Sequence, residues 1–446
     1  MELHPMLEPD TMPNHDLWYV LSTCGDCPSI RVGHTCTYVK GKHNDINGKL
    51  YVIGGANPSG AFCDTFVLDL NTCQWDIMDL PGFRARYEHA AFIPPSSPDK
   101  IFVFGGADST GNMNDVQILD TVKNSWMTAL VSGTPPSART FHTNPVVGDK
   151  LIVYSGGHTQ AEPVSDRQVY FFDTISMSWS TKVIKGDAPK PRHGHVMVAV
   201  GDKVYLHGGM ARSSFFDDLH CLDLTKNAWS HIKNKKVYPT ARAGHSGTAA
   251  GTMVFICGGM NKDGALDDLY RFDTNSRTWC KIELAGPPPA CRLDFGMCTV
   301  ELTRDLPASE NGSGDILETS RHAQEMLELA MKPGSASSRS SSNIGSASSR
   351  ESFHERDICM GIRRRRRRKH LTSCFISFSS TGNDIQTLEE GENLSDEEET
   401  PRAEGATSSL YSDWAKPKNT VKMVLIHGGM DTEGEIFDDT LVYLVE

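Results

Sequence analysis

The residue pattern most able to do chemistry is a recurring Arg-x-x-His quartet: Arg31-Val-Gly-His34, Arg86-Tyr-Glu-His89, Arg139-Thr-Phe-His142, Arg192-His-Gly-His195 and Arg242-Ala-Gly-His245. A sixth copy, Arg292-Leu-Asp-Phe295, keeps the arginine and loses the histidine. A guanidinium fork matches a carboxylate two-for-two, and imidazole is a ligand and proton carrier near neutral pH. Two readings follow. The six arginines (Arg31, Arg86, Arg139, Arg192, Arg242, Arg292) converge on a cationic rim that reads an acidic peptide or loop. Alternatively, Arg and His tie each repeat to the next by hydrogen bonds. Occurrence in every repeat favours the second reading, because a binding site breaks the symmetry of a repeat.

Metal and nucleophile chemistry find little support. Of 17 histidines, five are the quartet histidines, spaced about one repeat apart. There is no His-Glu-x-x-His, P-loop, dinucleotide fingerprint or nucleophile elbow. Cys24-Gly-Asp-Cys27 is a single CxxC without the second pair a zinc site needs. No catalytic residue, metal ligand or cofactor is assigned.

The elements that position the quartets are repeats. An apolar run ending in Gly-Gly recurs at Gly54-Gly55, Gly105-Gly106, Gly156-Gly157, Gly208-Gly209, Gly258-Gly259 and Gly428-Gly429, in steps of 51, 51, 52, 50 and then 170 residues. A tryptophan follows the first five pairs by 21 to 23 residues: Trp75, Trp126, Trp179, Trp229 and Trp279. A period near fifty with these landmarks is the pattern of kelch repeats, each a four-stranded antiparallel blade of a β-propeller. The expected fold is all-β, with six blades. Strand a follows the quartet, strand b is the apolar run, strand c is of the type Gln168–Asp173, and strand d carries the tryptophan. Each tryptophan packs between blades. The chain has no tryptophan after the sixth repeat, whereas Trp18-Tyr19 precedes the first quartet. The N-terminal strand is therefore expected to close the ring, which removes two sheet edges.

The step of 170 exposes an insertion. The expected organisation is 1–301 for blades one to five, the closing strand and the start of blade six; 302–419 for a disordered insert; and 420–446 for the rest of blade six. The insert holds a Ser-rich tract, the basic run Arg363–Arg368 and the acidic run 389–399, a composition typical of disorder. The basic run reads as a nuclear-import or anionic-lipid tract, or as a solvated stretch neutralised by the acidic run. Ser395, before Asp-Glu-Glu-Glu, is a candidate phosphosite for an acidic-directed kinase.

Composition bounds the rest. Hydrophobic residues make up 38% of the 446 residues, enough for a core, and 44 basic against 56 acidic residues give a net charge of −12, which argues against general nucleic-acid binding. No signal peptide or apolar span is present in the sequence, so its twelve cysteines are expected as reduced thiols in the cytosol or nucleus. Loops on a rigid scaffold carry binding residues. The candidate partner face is therefore the b–c loops, through Asn57, Asp108, His158, Arg212, Asn261 and Asp431, with the nearest arginines. Met210, Met260 and Met430, each directly after a Gly-Gly, are adaptable apolar anchors or packing at the channel mouth.

Longer strings exceed the generic pattern: Gly54-Gly-Ala-Asn-Pro58, Arg86-Tyr-Glu-His-Ala90, Phe102-Val-Phe-Gly-Gly-Ala107, Pro191-Arg-His-Gly-His-Val-Met-Val-Ala199 and Gly428-Gly-Met-Asp-Thr-Glu-Gly-Glu435. On these the chain resembles the vertebrate family of kelch-motif effectors of the Rab GTPase numbered nine, over 1–301 and 420–446. The Arg363–Arg368 run and the CxxC depart from that family. The resemblance implies a non-catalytic protein that binds a GTP-loaded late-endosomal Rab, promotes late endosome to trans-Golgi transport, and is cytoplasmic with a peripheral endosome-membrane fraction. Two other classes are weighed against it: a kelch substrate-recognition adaptor (ubiquitin ligase receptor or nuclear scaffold) and a metal-dependent kelch enzyme.

Overall fold

The computed structural model describes residues 4–8, 12–42, 45–140, 143, 145–159, 162–233, 237–305 and 418–445. They form six four-stranded antiparallel blades of a β-propeller. Blade one is typical: Thr35–Val39, Lys49–Ile53, Thr65–Asp69 and Gln74–Met78 pair in that order from a to d. Strand b is buried on both faces, which is why it reads as an unbroken apolar run. Ile101, Phe102, Val103 and Phe104 of blade two are all at most 1% exposed. Strand d alternates instead, with Trp75 buried between exposed Gln74 and Asp76.

The tryptophans sit between blades, as their spacing implies. Four pack on the last residues of strand b in the preceding blade, Trp75 against His427, Trp179 against Phe104, Trp229 against Tyr154 and Trp279 against His207, and Trp126 stacks on Phe83. Such a ring buries on the order of 200 Å² and welds one blade to the next. Blade six is closed from the other end of the chain. Trp18–Val20 pairs with Thr440–Leu444, setting Trp18 beside Tyr443. Trp18, 1% exposed, joins the core between blades five and six with Phe255 and Cys257. A further N-terminal turn of chain backs this closure: Met6 bridges to Val20, and Leu7 is buried.

Strands a and b of blade six are longer than the repeat predicts, Gly296–Asp305 and Lys418–His427, paired throughout with Asp305 opposite Lys418. Residues 302–305 and 418–419, expected in the insertion, thus belong to the ladder. The reason is local: Val300, Leu302 and Val421 are buried in the core shared with blade one, so the apolar pattern extends the pairing outward. The Ser-rich tract, Arg363–Arg368, the acidic run and Ser395 lie outside the described residues. The CxxC is on the rim, where Cys24–Gly25 adds a short parallel strand to blade one and Cys24 and Cys27 are exposed and outside any disulfide.

Candidate binding face

Strands b and c of every blade are joined by a turn above the ring. In five blades it forms a small ribbon, such as Ala56–Asn57 with Gly60–Ala61; in blade six Met430 bridges to Ile436. Each turn is bonded to the residue after a quartet arginine: Val32 with Ala56, Tyr87 with Ala107, Thr140 with Gly157, His193 with Met210, Ala243 with Met260 and Leu293 with Met430. Quartets and b–c turns therefore build one face.

Within it the six arginines are withdrawn from any partner. All are at most 1% exposed. Each pairs with an aspartate at the head of strand c in its own blade, five of them through both guanidinium arms and Arg139 through one: Arg31–Asp64, Arg86–Asp115, Arg139–Asp166, Arg192–Asp218, Arg242–Asp268 and Arg292–Asp439, at 2.5 to 3.0 Å. The same guanidinium donates to the carbonyl of the first Gly-Gly residue, Gly54 for Arg31, or of Ser155 for Arg139. Aromatic rings cover it, Phe216 at 4.1 Å from the Arg192 carbon. The arginine carbonyl then accepts from the second glycine of the preceding blade, or Gly156 in blade three: Gly55 N to Arg86 O at 2.9 Å, and, closing the circle, Gly429 N to Arg31 O at 3.3 Å. A cationic rim reading carboxylates is therefore corrected to a buried salt-bridge layer. The side chains that would form it are already spent on the protein's own aspartates.

Those aspartates escaped the sequence reading, yet the signal was present. They stand nine residues after the second glycine in five repeats and ten in the sixth. Burial works against the Asp218 carboxylate, but hydrogen bonds from His220 and Arg192 outweigh it and hold it well below the usual carboxylate range.

The quartet histidines are structural too. His34 Nε2 lies 3.1 Å from the His427 carbonyl, and His245 Nε2 lies 3.0 Å from His207 Nδ1. Burial holds His34 and His245 well below the usual imidazole range, His207 near about 3 and His427 near about 4. These rings are neutral at physiological pH. His142 lies outside the described residues.

Four of the six b–c candidates also repeat. Asn57, Asp108, Asn261 and Asp431 each accept a backbone hydrogen bond at 2.7 to 2.8 Å from the residue two further on, capping the turn that carries them. All four are half-buried. Their roles differ from those of His158, which no other blade repeats, and Arg212, matched in blade five by Lys262; both are exposed. Arg212 reaches across from blade four to Glu162 of blade three at 2.9 Å. Met210 and Met430 are buried; Met430 packs on Val32 and Leu293, so it serves packing at the mouth rather than presenting an anchor. Blade six adds exposed Glu433, Glu435 and Asp438.

No group of three or more His, Cys, Asp or Glu among the described residues could hold a metal ion. The face is thus a floor of repeated ion pairs under six turns of differing chemistry.

A family model for the KLHDC2/KLHL20/DRC7 Kelch-repeats domain matches residues 42–259 and 156–304. The chain is 47% identical over 223 residues to a Xenopus laevis protein named Rab9 effector protein with kelch motifs, covering 50% of this chain and 61% of that protein. It is 46% identical over 220 residues to the Homo sapiens protein of the same name (49% and 59% covered) and 43% over 234 residues to that of Danio rerio (50% and 67% covered). The chain thus spans about three-fifths of the length of the first two relatives.

Proposed function

Because this chain belongs to the kelch-repeat β-propeller family, we propose that it is a non-catalytic binding protein, an effector of a GTP-loaded Rab GTPase. The observation that carries this reading is the likeness to vertebrate proteins named as Rab9 effectors, at 43 to 47% identity across the segment shared with each. The geometry supports it: a rigid ring that presents a rim of unlike turns, with His158 and Arg212 exposed on blades three and four. An effector discriminates by differential affinity for switch segments ordered by the γ-phosphate. A tenfold preference needs only about 1.4 kcal/mol, within reach of one or two charge-assisted contacts.

The same reading places the protein in late endosome to trans-Golgi transport, cytoplasmic with a peripheral fraction on endosomal membrane. Among the described residues no helix is long and apolar enough to cross a membrane, and a lipidated GTPase would supply the attachment. The test is retention of the purified chain on a panel of immobilised Rab GTPases, each loaded with a GTP analogue or GDP. The expected result is retention by the late-endosomal Rab, at least about tenfold stronger in the GTP form. Retention by no Rab, with the protein folded, would overturn the reading.

A further inference from the structure

The third residue of each quartet faces the next around the central channel. Gly33 N donates to Asp294 O at 2.9 Å, Glu88 N to Gly33 O at 2.6 Å, Gly244 N to Gly194 O and Asp294 N to Gly244 O, both at 2.9 Å. These five positions all adopt the left-handed conformation, φ between 53° and 67°. Glycine occupies it without strain, as at Gly33, Gly194 and Gly244; Glu88 and Asp294 do not share that freedom. The blade-three position, Phe141, is outside the described residues. Two carboxylates thus stand on either side of Gly33 where the ring asks for glycine.

Both carboxylates enter one cavity of about 110 Å³ at the mouth of the channel, with His34 and His245 in its wall. That volume takes the end of one long side chain and is too small for a drug-sized ligand, which needs roughly 300–1,000 Å³. The Nδ1 atoms of His34 and His245 are buried without a hydrogen-bond partner, and both residues are 5% exposed. For His34 the tautomer follows from its neighbour. The His427 carbonyl can only accept, so Nε2 carries the proton and Nδ1 is a bare acceptor. Among the described residues no donor reaches the Asp294 carboxylate, whereas Glu88 is bonded by Thr140. Among the described residues the site therefore offers two carboxylates and the bare Nδ1 of His34 as acceptors, with no donor bonded to Asp294.

We propose that the channel mouth receives a basic side chain, a lysine ammonium or arginine guanidinium, borne by a segment of a partner protein. The cation supplies a donor to Asp294 and to His34 and lies beside the Glu88 carboxylate. This surface is separate from the exposed His158 and Arg212, and the proposal stands or falls independently of the GTPase reading.

The pH dependence has a fixed sign. Burial pushes the Asp294 carboxyl up to about 7, and burial with the neighbouring Asp294 pushes Glu88 well above the usual carboxylate range. Among the described residues the other titratable groups lining the cavity are the imidazoles of His34, His89, His195 and His245. Protonating the carboxyls removes the charge that a cation seeks, so binding weakens as pH falls from 8 to 6.

The probe is a fluorescent hexa-arginine peptide, titrated into the full chain by anisotropy, with hexa-glutamate as control and spermidine as competitor. The expected result is binding that is stronger at pH 8 than at pH 6 and falls roughly tenfold or more in Asp294→Asn, a residue that tolerates this backbone conformation. The double variant Glu88→Gly/Asp294→Gly restores the glycine pattern of the ring and should lose at least as much. The double variant Glu433→Gln/Glu435→Gln on the exposed turn removes as much charge and should stay within about threefold. Equal losses in the turn variant and in Asp294→Asn would reduce the effect to general attraction and overturn the site. So would unchanged affinity in both mouth variants. Spermidine binding tighter than the peptide would overturn its assignment to a protein segment.

Discussion

Two layers of the same face behave oppositely. In the lower layer, an arginine, its aspartate and the backbone bond to the preceding blade recur in all six blades. In the upper layer each blade carries a b–c turn of its own composition: Asn-Pro-Ser-Gly in blade one, Ala-Arg-Ser-Ser in blade four, Asp-Thr-Glu-Gly in blade six. The difference separates what closes a ring from what closure leaves free to differ. Six blades meet at equal angles only if each junction is the same, so the junction is repeated and buried. Nothing in closure constrains the tips of the turns, and there the chain is free to vary.

The strongest way to break that comparison is to open the ring. Deleting residues 1–25 removes Trp18–Val20, exposes the Thr440–Leu444 edge and empties the space that Trp18 fills against Phe255 and Cys257. Loss of one buried tryptophan side chain costs about 3–5 kcal/mol, and here a whole strand goes with it. The expected outcome in a circular-dichroism melt is loss of the cooperative transition, or a midpoint lower by about 15 °C or more. An unchanged melt would mean that the sixth junction is dispensable, and the lower layer would no longer be a closed device.

Next in size is a single member of the lower layer. Arg192→Ala leaves Asp218 and the Gly208 carbonyl without their buried cation. Removing one partner of a buried pair costs about 3–5 kcal/mol, and because Asp218 stays 26% exposed, water should keep the loss toward the lower end. Arg192→Lys should recover only part of it, since an ammonium cannot fork. Urea denaturation checks both. A midpoint within experimental error of the unsubstituted protein would return the arginines to a role outside stability.

Much of this was legible in the residues. Gly-Gly, tryptophan and quartet, in register over five copies, give blade number and strand order. Trp18 upstream and the missing tryptophan downstream give the closure, because a blade lacking strand d must borrow it. What spacing could not give was the fate of the arginines. A guanidinium is the same residue whether it faces water or an aspartate, and the partner at Asp64 or Asp218 is placed beside it only by folding. The turn residues misled for a related reason. Asn57, Asp108, Asn261 and Asp431 look dissimilar as letters, but Asn and Asp share an acceptor oxygen that caps the same turn. The carboxylates at the channel mouth were inside the quartets from the start, at the x position that pattern matching ignores.

The smallest effect on stability belongs to the upper layer, and it sharpens the comparison most. Arg212 and Arg192 lie on one blade, twenty residues apart, and both meet a carboxylate. The Arg212 side chain is 80% exposed and its partner Glu162 51%. Water screens such a pair, so Arg212→Ala should shift the unfolding free energy by no more than about 0.5 kcal/mol. If the turns read the GTPase, the same substitution should slow association with the GTP-loaded Rab, and the difference from the unsubstituted chain should shrink as salt rises, because a charge on a rim acts mainly on encounter. Surface plasmon resonance at low and high salt reads this directly. An Arg212→Ala chain that is as stable as the parent and associates at the same rate at low salt would move the recognition surface away from blades three and four.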